Sequence, residues 1–317
     1  MTRSALCVVK PGLLTTVQDL GRFGYQASGV PVAGPMDTFS HRLANALVGN
    51  PPDAAALEIT LIGPELEPET DITIAVTGAE FEVWCEGRLV PMGTASVVNA
   101  GQRLRFGKRR QGARAYLAVA GGFETPLVLG SRATHLVSRM GGLEGRALAA
   151  GDRLPVTGAA PGAARKSVGL MLPSAGRARV RVMAGPQADW FGPDAMRTLT
   201  SVSFRVSPRS NRMGYRLEGP PLPRMHSGEL ISEPVGMGAI QVPGAGEPIL
   251  LMADRQTTGG YPRIAHVITA DLPLAGQLAP GDFIEFVLCS RQEAVAALIA
   301  RERQLLRFVD RREEGGP

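Results

Sequence analysis

The sequence predicts a mainly β protein built from two β-barrel-type domains, and three observations carry that expectation. Short apolar, β-branched runs recur along all 317 residues, each bounded by Gly, Pro, Asp or Asn. The chain holds 39 glycines and 25 prolines, about one residue in five against a usual ~12%, with no repeat period. The stretch Gly158–Ser167 is rich in small residues, lacks any apolar period and divides the chain near residue 165. The length also exceeds one comfortable core and suits two domains, 1–160 and 161–317.

The expected strands run in order through Ala5–Val9, Asp71–Val76, Phe81–Trp84, Ala95–Val98 and Ala115–Val119 in the first half. Arg179–Met183, Val202–Val206, Ala239–Val242, Ile249–Met252, Ile264–Ile268 and Phe283–Leu288 follow in the second. Their length of four to six residues suits a barrel or sandwich rather than βαβ units. Helices are fewer. Asp37–Val48 places Phe39, Leu43, Ala46 and Leu47 on one face, with Asp37 as N-cap and Gly49-Asn50 as the stop. Pro186–Leu199 reads as a second helix with a break at Gly192-Pro193. Arg291–Phe308 reads as a third, its stripe Val295, Leu298, Ile299, Leu305 and Leu306 facing the core. No clean internal repeat relates the halves.

Composition excludes several functions. The net charge of +5 comes almost wholly from arginine, since Lys10, Lys108 and Lys166 are the only lysines. The arginines are scattered, with one tight basic cluster at Lys108-Arg109-Arg110, so no nucleic-acid footprint is expected. Cys7, Cys85 and Cys289 are far apart in apolar contexts and are expected to be buried free thiols in a reducing compartment. No apolar run reaches the ~18 residues of a membrane span. Met1–Lys10 carries no signal-peptide core, so a cytoplasmic protein without a membrane partner is expected.

Four polar clusters remain. Ala253–Pro262 follows the apolar run Pro248–Met252 and sets Asp254, Arg255, Gln256, Thr257, Thr258 and Tyr261 around Gly259-Gly260. A turn needs the glycines; it does not need an acid, a guanidinium, an amide, two hydroxyls and a phenol together, so this reads as a small-molecule site. Ser210–Gly219 contributes Asn211, Arg212 and Tyr215, suited to anion and carbonyl recognition, though a surface hairpin would accept the same composition. Thr15–Tyr25 contains Gln18, Asp19 and Arg22, which either brace a turn or present a bidentate donor to a carboxylate or phosphate. Glu229–Gly236 places Glu233 in an apolar run, as a proton carrier or as a partner for an arginine.

Familiar motifs are missing. There is no phosphate-binding Gly-x4-Gly-Lys-Ser/Thr loop and no complete Gly-x-Gly-x-x-Gly, because Gly236 and Gly238 lack a third glycine. There is no Gly-x-Ser-x-Gly elbow and no lysine acceptor sequence for biotin. His41, His135, His226 and His266 share no metal-ligand spacing, so no metal site is expected. The chain carries neither its own nucleotide loop of common type nor an attached carrier.

The ordered set of clusters resembles one family. Its residues are Thr15–Arg22, Gly29–Pro31, Gly34–Asp37, Asn45, Leu47–Asn50, Leu57-Glu58, Tyr116–Gly122 and Leu129–Arg132, then Ser210–Arg216, Ser232–Pro234 and Ala253–Pro262. They are similar to the biotin-dependent carboxyltransferase, or allophanate hydrolase subunit 2-like, family. This family includes the C subunit of prokaryotic ATP-dependent 5-oxoprolinase and the sporulation kinase-inhibitor antagonist. The resemblance spans about residues 5–290.

It implies two cyclophilin-like β-barrel domains and work with partners: a smaller subunit of the allophanate hydrolase subunit 1-like type and, in 5-oxoprolinase, a third subunit. A chain without carboxylase or carrier segments fits the 5-oxoprolinase subunit, with ATP used by the complex and biotin supplied only in trans. A carboxyltransferase acting on urea or another amide, and a regulator that sequesters its partner, are the alternative readings. For lactam opening, Arg255 or Arg212 is expected to hold a carboxylate or phosphorylated oxygen. Tyr261 and Gln256 would orient the carbonyl, and Asp254 or Glu233 would move protons. Asn211, Tyr215, Thr257, Thr258, Gln18 and Arg22 complete the expected binding set.

Overall fold

The computed structural model describes residues 4–157, 172–226, 228 and 230–309. The stretch Gly158–Ser167, which the sequence marks as the divider, lies outside the described residues. Two compact units result. One comprises Met1–Arg22, Ala33–Leu172 and Glu302–Pro317; the other comprises Phe23–Val32 and Pro173–Arg301. Two short segments therefore belong to the unit opposite to their place in sequence.

The first unit runs β1 (Ala5–Lys10), β2 (Leu14–Gln18), α1 (Thr38–Leu47), β3 (Ala56–Thr60), β4 (Glu65–Pro68), β5 (Ile72–Cys85), β6 (Arg88–Val90), β7 (Ser96–Val98), β8 (Leu104–Val119) and β9 (Arg153–Pro155). Among the described residues they form a nine-stranded sheet with the path β2-β3-β8-β4-β1-β9, β5 pairing with β6, β7 and β8. The sixteen residues of β8 let it pair in turn with β3, β5 and β4.

The two strands expected at Asp71–Val76 and Phe81–Trp84 are one strand, β5. Register shifts between Gly78 and Val83 absorb the glycine as bulges instead of ending the strand. Thr15–Gln18, read above as a polar cluster, forms most of β2, pairing with Ala56–Ile59. Asp37 caps α1 as expected, accepting from the Ser40 amide at 2.8 Å and the Ser40 hydroxyl at 2.6 Å. The core between strands is mostly aliphatic, with Leu6, Val17, Leu57, Ile59, Leu66, Ile74, Val76, Val83, Leu117 and Leu154 joined by Phe81, Phe106 and Phe123.

The second unit runs β10 (Arg177–Ala184), α2 (Pro193–Ser201), β11 (Ser203–Val206), β12 (Gly214–Glu218), β13 (Glu233–Pro234), β14 (Ala239–Gln241), β15 (Ile249–Leu251), β16 (Thr258–Gly259), β17 (Arg263–Val267), α3 (Leu272–Gly276), β18 (Phe283–Leu288) and α4 (Arg291–Val309). The last turns of α4, from Glu302 onward, belong to the first unit. Seven strands close a barrel in the order β10-β17-β14-β15-β12-β11-β18, and β13 and β16 form a separate two-stranded ribbon. The parallel pair β10–β18, from Arg177↔Phe283 to Val182↔Leu288, belongs to this closed ring. The period-2 rule holds in β10, where Ala178, Val180 and Val182 are buried and Arg177 and Arg179 exposed.

The mainly β expectation is borne out, with one closed barrel and one curled sheet. One detail bears out the sequence reading and two depart from it. The helix break at Gly192-Pro193 separates a 3-10 turn at Ala188–Trp190 from α2, with Gly192 as N-cap and Pro193 in the first turn. The stripe assigned to α4 is not a buried face: Leu305 is buried, whereas Val295, Ile299 and Leu306 are about half exposed. Leu305 joins the α1 cluster of Phe39, Leu43 and Leu47, and Arg42 pairs with Glu302 at 2.7 Å. Of the three free cysteines, only Cys85 is fully buried.

Candidate functional site

Antiparallel pairing creates the site. β12 and β15 pair Gly214↔Leu251, Tyr215↔Leu250 and Arg216↔Ile249, so the start of one lies beside the end of the other. The loop entering β12 and the loop leaving β15 therefore emerge together. Two backbone bonds join them, Met252 N–H to Met213 O and Asp254 N–H to Arg212 O, both 2.9 Å. The Ser210–Gly219 and Ala253–Pro262 clusters, some forty residues apart in sequence, are thereby neighbours.

A cleft of about 240 Å³ opens here. Its cations are Arg209, Arg216 and Arg255; its amides are Asn211, Gln241 and Gln256; Thr258 and Tyr261 add hydroxyls. Met213, Val235, Ile249 and Leu251 supply apolar wall. Among the described residues no carboxylate lines it, and Arg209 stands 3.9 Å from Glu247. A small, positively charged, partly apolar cleft suits a compact anion with an apolar body.

Arg255 is the half-buried member. Its Nε donates to Val235 O at 3.2 Å. Burial lowers its pKa from the ordinary value, with the charge of Asp254 opposing that shift. A guanidinium held through Nε retains both terminal nitrogens for a bidentate oxyanion. Gln241 is buried and donates from Nε2 to Tyr261 O at 3.4 Å. A Cβ on Gly259 would lie 2.5 Å from that nitrogen, so the glycine leaves room for the amide beside the cleft.

The remaining expected residues are placed elsewhere. Arg212 and Asp254 do not line the cleft; they are 5% and 2% exposed and bond each other twice. Both oxygens of Asp254 are taken up by Arg212 here, and neither side chain faces the cleft. Tyr215 is a barrel-core residue, 2% exposed, whose hydroxyl donates to Leu278 O at 3.3 Å. Thr257 contributes its carbonyl to Val235 N–H at 3.0 Å. Glu233 bonds Arg263 and receives Gln187 Nε2 at 3.2 Å.

Gln18 and Arg22 belong to the first unit. Gln18 donates to Thr16 Oγ1 and Thr134 O, both 3.0 Å. Arg22, 1% exposed, donates to Val128 O and Ala133 O, both 2.9 Å. Asp19 accepts from the Ser131 hydroxyl at 2.6 Å and the Arg132 amide. Of the two readings of this cluster, the turn brace is the one built: Arg22 straps the 128–133 loop.

Arg209, Arg216 and Gln241 were not among the expected site residues. Alternation in β12 is the signal that finds Arg216, because Tyr215 points inward and the next side chain must face out. The first unit holds a larger cleft of about 630 Å³ lined by Glu67, Trp84, Glu86, Arg103 and Arg105. Its charges compensate one another, Arg103 pairing with Glu67 at 3.3 Å, so size does not make it the better candidate. No group of three or more His, Cys, Asp or Glu that could hold a metal ion is found among the described residues. No helix among them is long and apolar enough to cross a membrane.

Residues 28–288 match the family described as carboxyltransferase domain, subdomain A and B. The chain belongs to this carboxyltransferase domain family. Within it, the C subunit of Escherichia coli 5-oxoprolinase is 43% identical over 94% of this chain and 96% of its own length. The corresponding C subunit from Haemophilus influenzae is 37% identical over 93% and 96%. The urea amidolyase of Lachancea kluyveri is 37% identical, but this chain spans only 17% of it. The crystal structure of Kluyveromyces lactis urea amidolyase superposes with a TM-score of 0.92 at 33% identity, over 97% of this chain and 20% of that one. The same scaffold thus occurs as a separate polypeptide and inside much longer ones.

Proposed function

We propose that this chain is the C subunit of a multi-subunit, ATP-dependent 5-oxoprolinase, and that the cleft beside Arg255 holds the substrate. The observation that carries the reading is end-to-end correspondence with the C subunit of E. coli 5-oxoprolinase, 43% identical over 96% of that chain, joined to a cleft of matching chemistry. 5-Oxoproline is small, with one carboxylate, one lactam carbonyl and an apolar ring edge. A cleft with three guanidiniums, no acid among its described lining residues and an aliphatic wall complements each part.

The terminal nitrogens of Arg255 take the carboxylate or a developing oxyanion, and Gln256 and Tyr261 orient the carbonyl. Ring opening adds water across the amide: oxygen bonds to the lactam carbon, the C–N bond breaks, and the ring nitrogen leaves protonated as the amine of glutamate. An amide is a poor electrophile, and coupling to ATP supplies the activation. The nucleotide is assigned to the assembled complex, with a smaller subunit of the allophanate hydrolase subunit 1-like type and a third subunit as partners.

The test is co-expression with those two subunits, followed by glutamate release from 5-oxoproline and ATP. Glutamate formed by the complex, and lost on Arg255→Ala, is the expected result. Full activity of the Arg255→Ala complex would remove the cleft from the reaction. A carboxyltransferase reading, with carboxybiotin supplied in trans, is favoured by the urea amidolyase scaffold that covers 97% of this chain. Avidin-sensitive carboxylation of urea without glutamate release would replace the first reading by that one.

A further inference from the structure

Val235 and Thr258, two residues of the cleft wall, come from the β13–β16 ribbon and its flank. The ribbon holds the pairs Glu233↔Gly259 and Pro234↔Thr258, continued by Val235 N–H to Thr257 O at 3.0 Å, and stands outside the closed barrel. Two-stranded pieces of this length do not hold themselves. Yet Arg255, the half-buried cation of the cleft, takes its orientation from this ribbon through Nε and Val235 O at 3.2 Å.

Arg263, at the start of β17, is the clamp. Its Nη1 donates to Pro234 O at 3.0 Å, its Nη2 to the Glu233 carboxylate, and its Nε to Gln187 Oε1 at 3.1 Å. Gln187 closes the set by donating to Glu233 at 3.2 Å. One planar guanidinium thus ties a barrel strand to both residues of β13. The next residue, Val235, carries the carbonyl that Arg255 uses.

We infer that Arg263 and Glu233 are positioning residues: they lock the ribbon so that Val235 aims the Arg255 guanidinium into the cleft, and Glu233 carries no proton in the reaction. Glu233 does not line the cleft, and Arg263 and Gln187 both bond its Oε2. The kinetic part of this inference rests on the 5-oxoprolinase reading; the ribbon-locking part does not.

Two measurements separate them. Hydrogen exchange on the full chain reports the ribbon directly. Arg263→Met is expected to speed exchange in residues 231–236 and 255–260 by about tenfold or more, with peptides of β10 and β18 unchanged. In the complex with its partner subunits, the same variant is expected to raise KM for 5-oxoproline about tenfold while kcat falls by no more than about threefold. Glu233→Gln, which keeps an acceptor for Arg263, should recover much of the affinity lost in Glu233→Ala and leave the shape of the pH–rate profile unaltered.

Wild-type exchange in Arg263→Met would overturn the locking role. Loss of one limb of the pH profile in Glu233→Gln would overturn the positioning role and make Glu233 a proton carrier. A wild-type complex that releases no glutamate would count against the assigned reaction alone, since the exchange result stands without it.

Discussion

Arg212 and Asp254 form a buried, two-pronged ion pair, Nε to Oδ2 and Nη2 to Oδ1, each at 2.9 Å. The pair fastens the loop entering β12 to the loop leaving β15, the two segments that supply Asn211, Arg255 and Gln256 to the cleft. Removing one member of such a pair leaves the other charge buried and uncompensated. Asp254→Ala is expected to destabilise the fold by about 3–5 kcal/mol, read by urea unfolding. A stable Asp254→Ala protein that binds ligand normally would refute this structural role.

Arg255 divides its guanidinium between Val235 O and the open cleft. Lysine offers a single point charge and cannot do both. Arg255→Lys is expected to weaken binding of 5-oxoproline by about tenfold or more, measured by calorimetry on the complex. Equal affinity would mean that charge alone, without the fork, is what the cleft requires.

Gly259 leaves the space in which the Gln241 amide sits, a Cβ there falling 2.5 Å from Nε2. The side chain can retreat, so Gly259→Ala should cost little stability, about 1 kcal/mol or less by the usual scale of accommodated surface changes. It should nonetheless reduce ligand affinity, because the displaced amide loses its bond to Tyr261 O. Thermal unfolding and calorimetry on the same variant check both halves.

His41 is enclosed, donates from Nε2 to Gln18 O at 3.0 Å and has no partner at Nδ1. Burial holds its pKa below the ordinary 6.5. The unfolded chain therefore takes up this proton at a higher pH than the folded one. Stability from this group is complete above about pH 6.5 and declines as pH falls toward the folded value, by up to ~1.4 kcal/mol per pH unit. Urea midpoints across about pH 4.5–8 read the decline. His41→Gln should flatten it, and an unaltered acid limb would assign the loss to other groups.

Tyr116 donates to Glu58 at 2.7 Å and accepts the Asp37 amide at 2.8 Å, wholly buried. Tyr116→Phe removes both bonds while leaving the ring, and should cost about 1–3 kcal/mol in unfolding free energy. A neutral result would show that neighbouring groups re-satisfy Glu58 and Asp37.

Local rules reach a long way into this molecule. Alternating apolar runs specify most barrel strands, since burying every second side chain dictates period two, and Asp37 and Gly49 specify the ends of α1 through capping. Ala253–Pro262 is legible as a site because its residue types exceed what a turn needs, and Arg255, Gln256, Thr258 and Tyr261 do line the cleft. Other features appear only once distant segments meet. The length of β5 depends on whether a partner strand tolerates a bulge near Gly78, which no local rule reveals. Whether an arginine binds ligand or braces the scaffold depends on what lies opposite it. Arg212 meets Asp254, Arg263 meets Glu233, and Arg22 meets two carbonyls, whereas Arg255 keeps its terminal nitrogens for the cleft. The four look alike in sequence because charge is a local property, while burial and partnership are set by segments brought together only when the sheet and the barrel form.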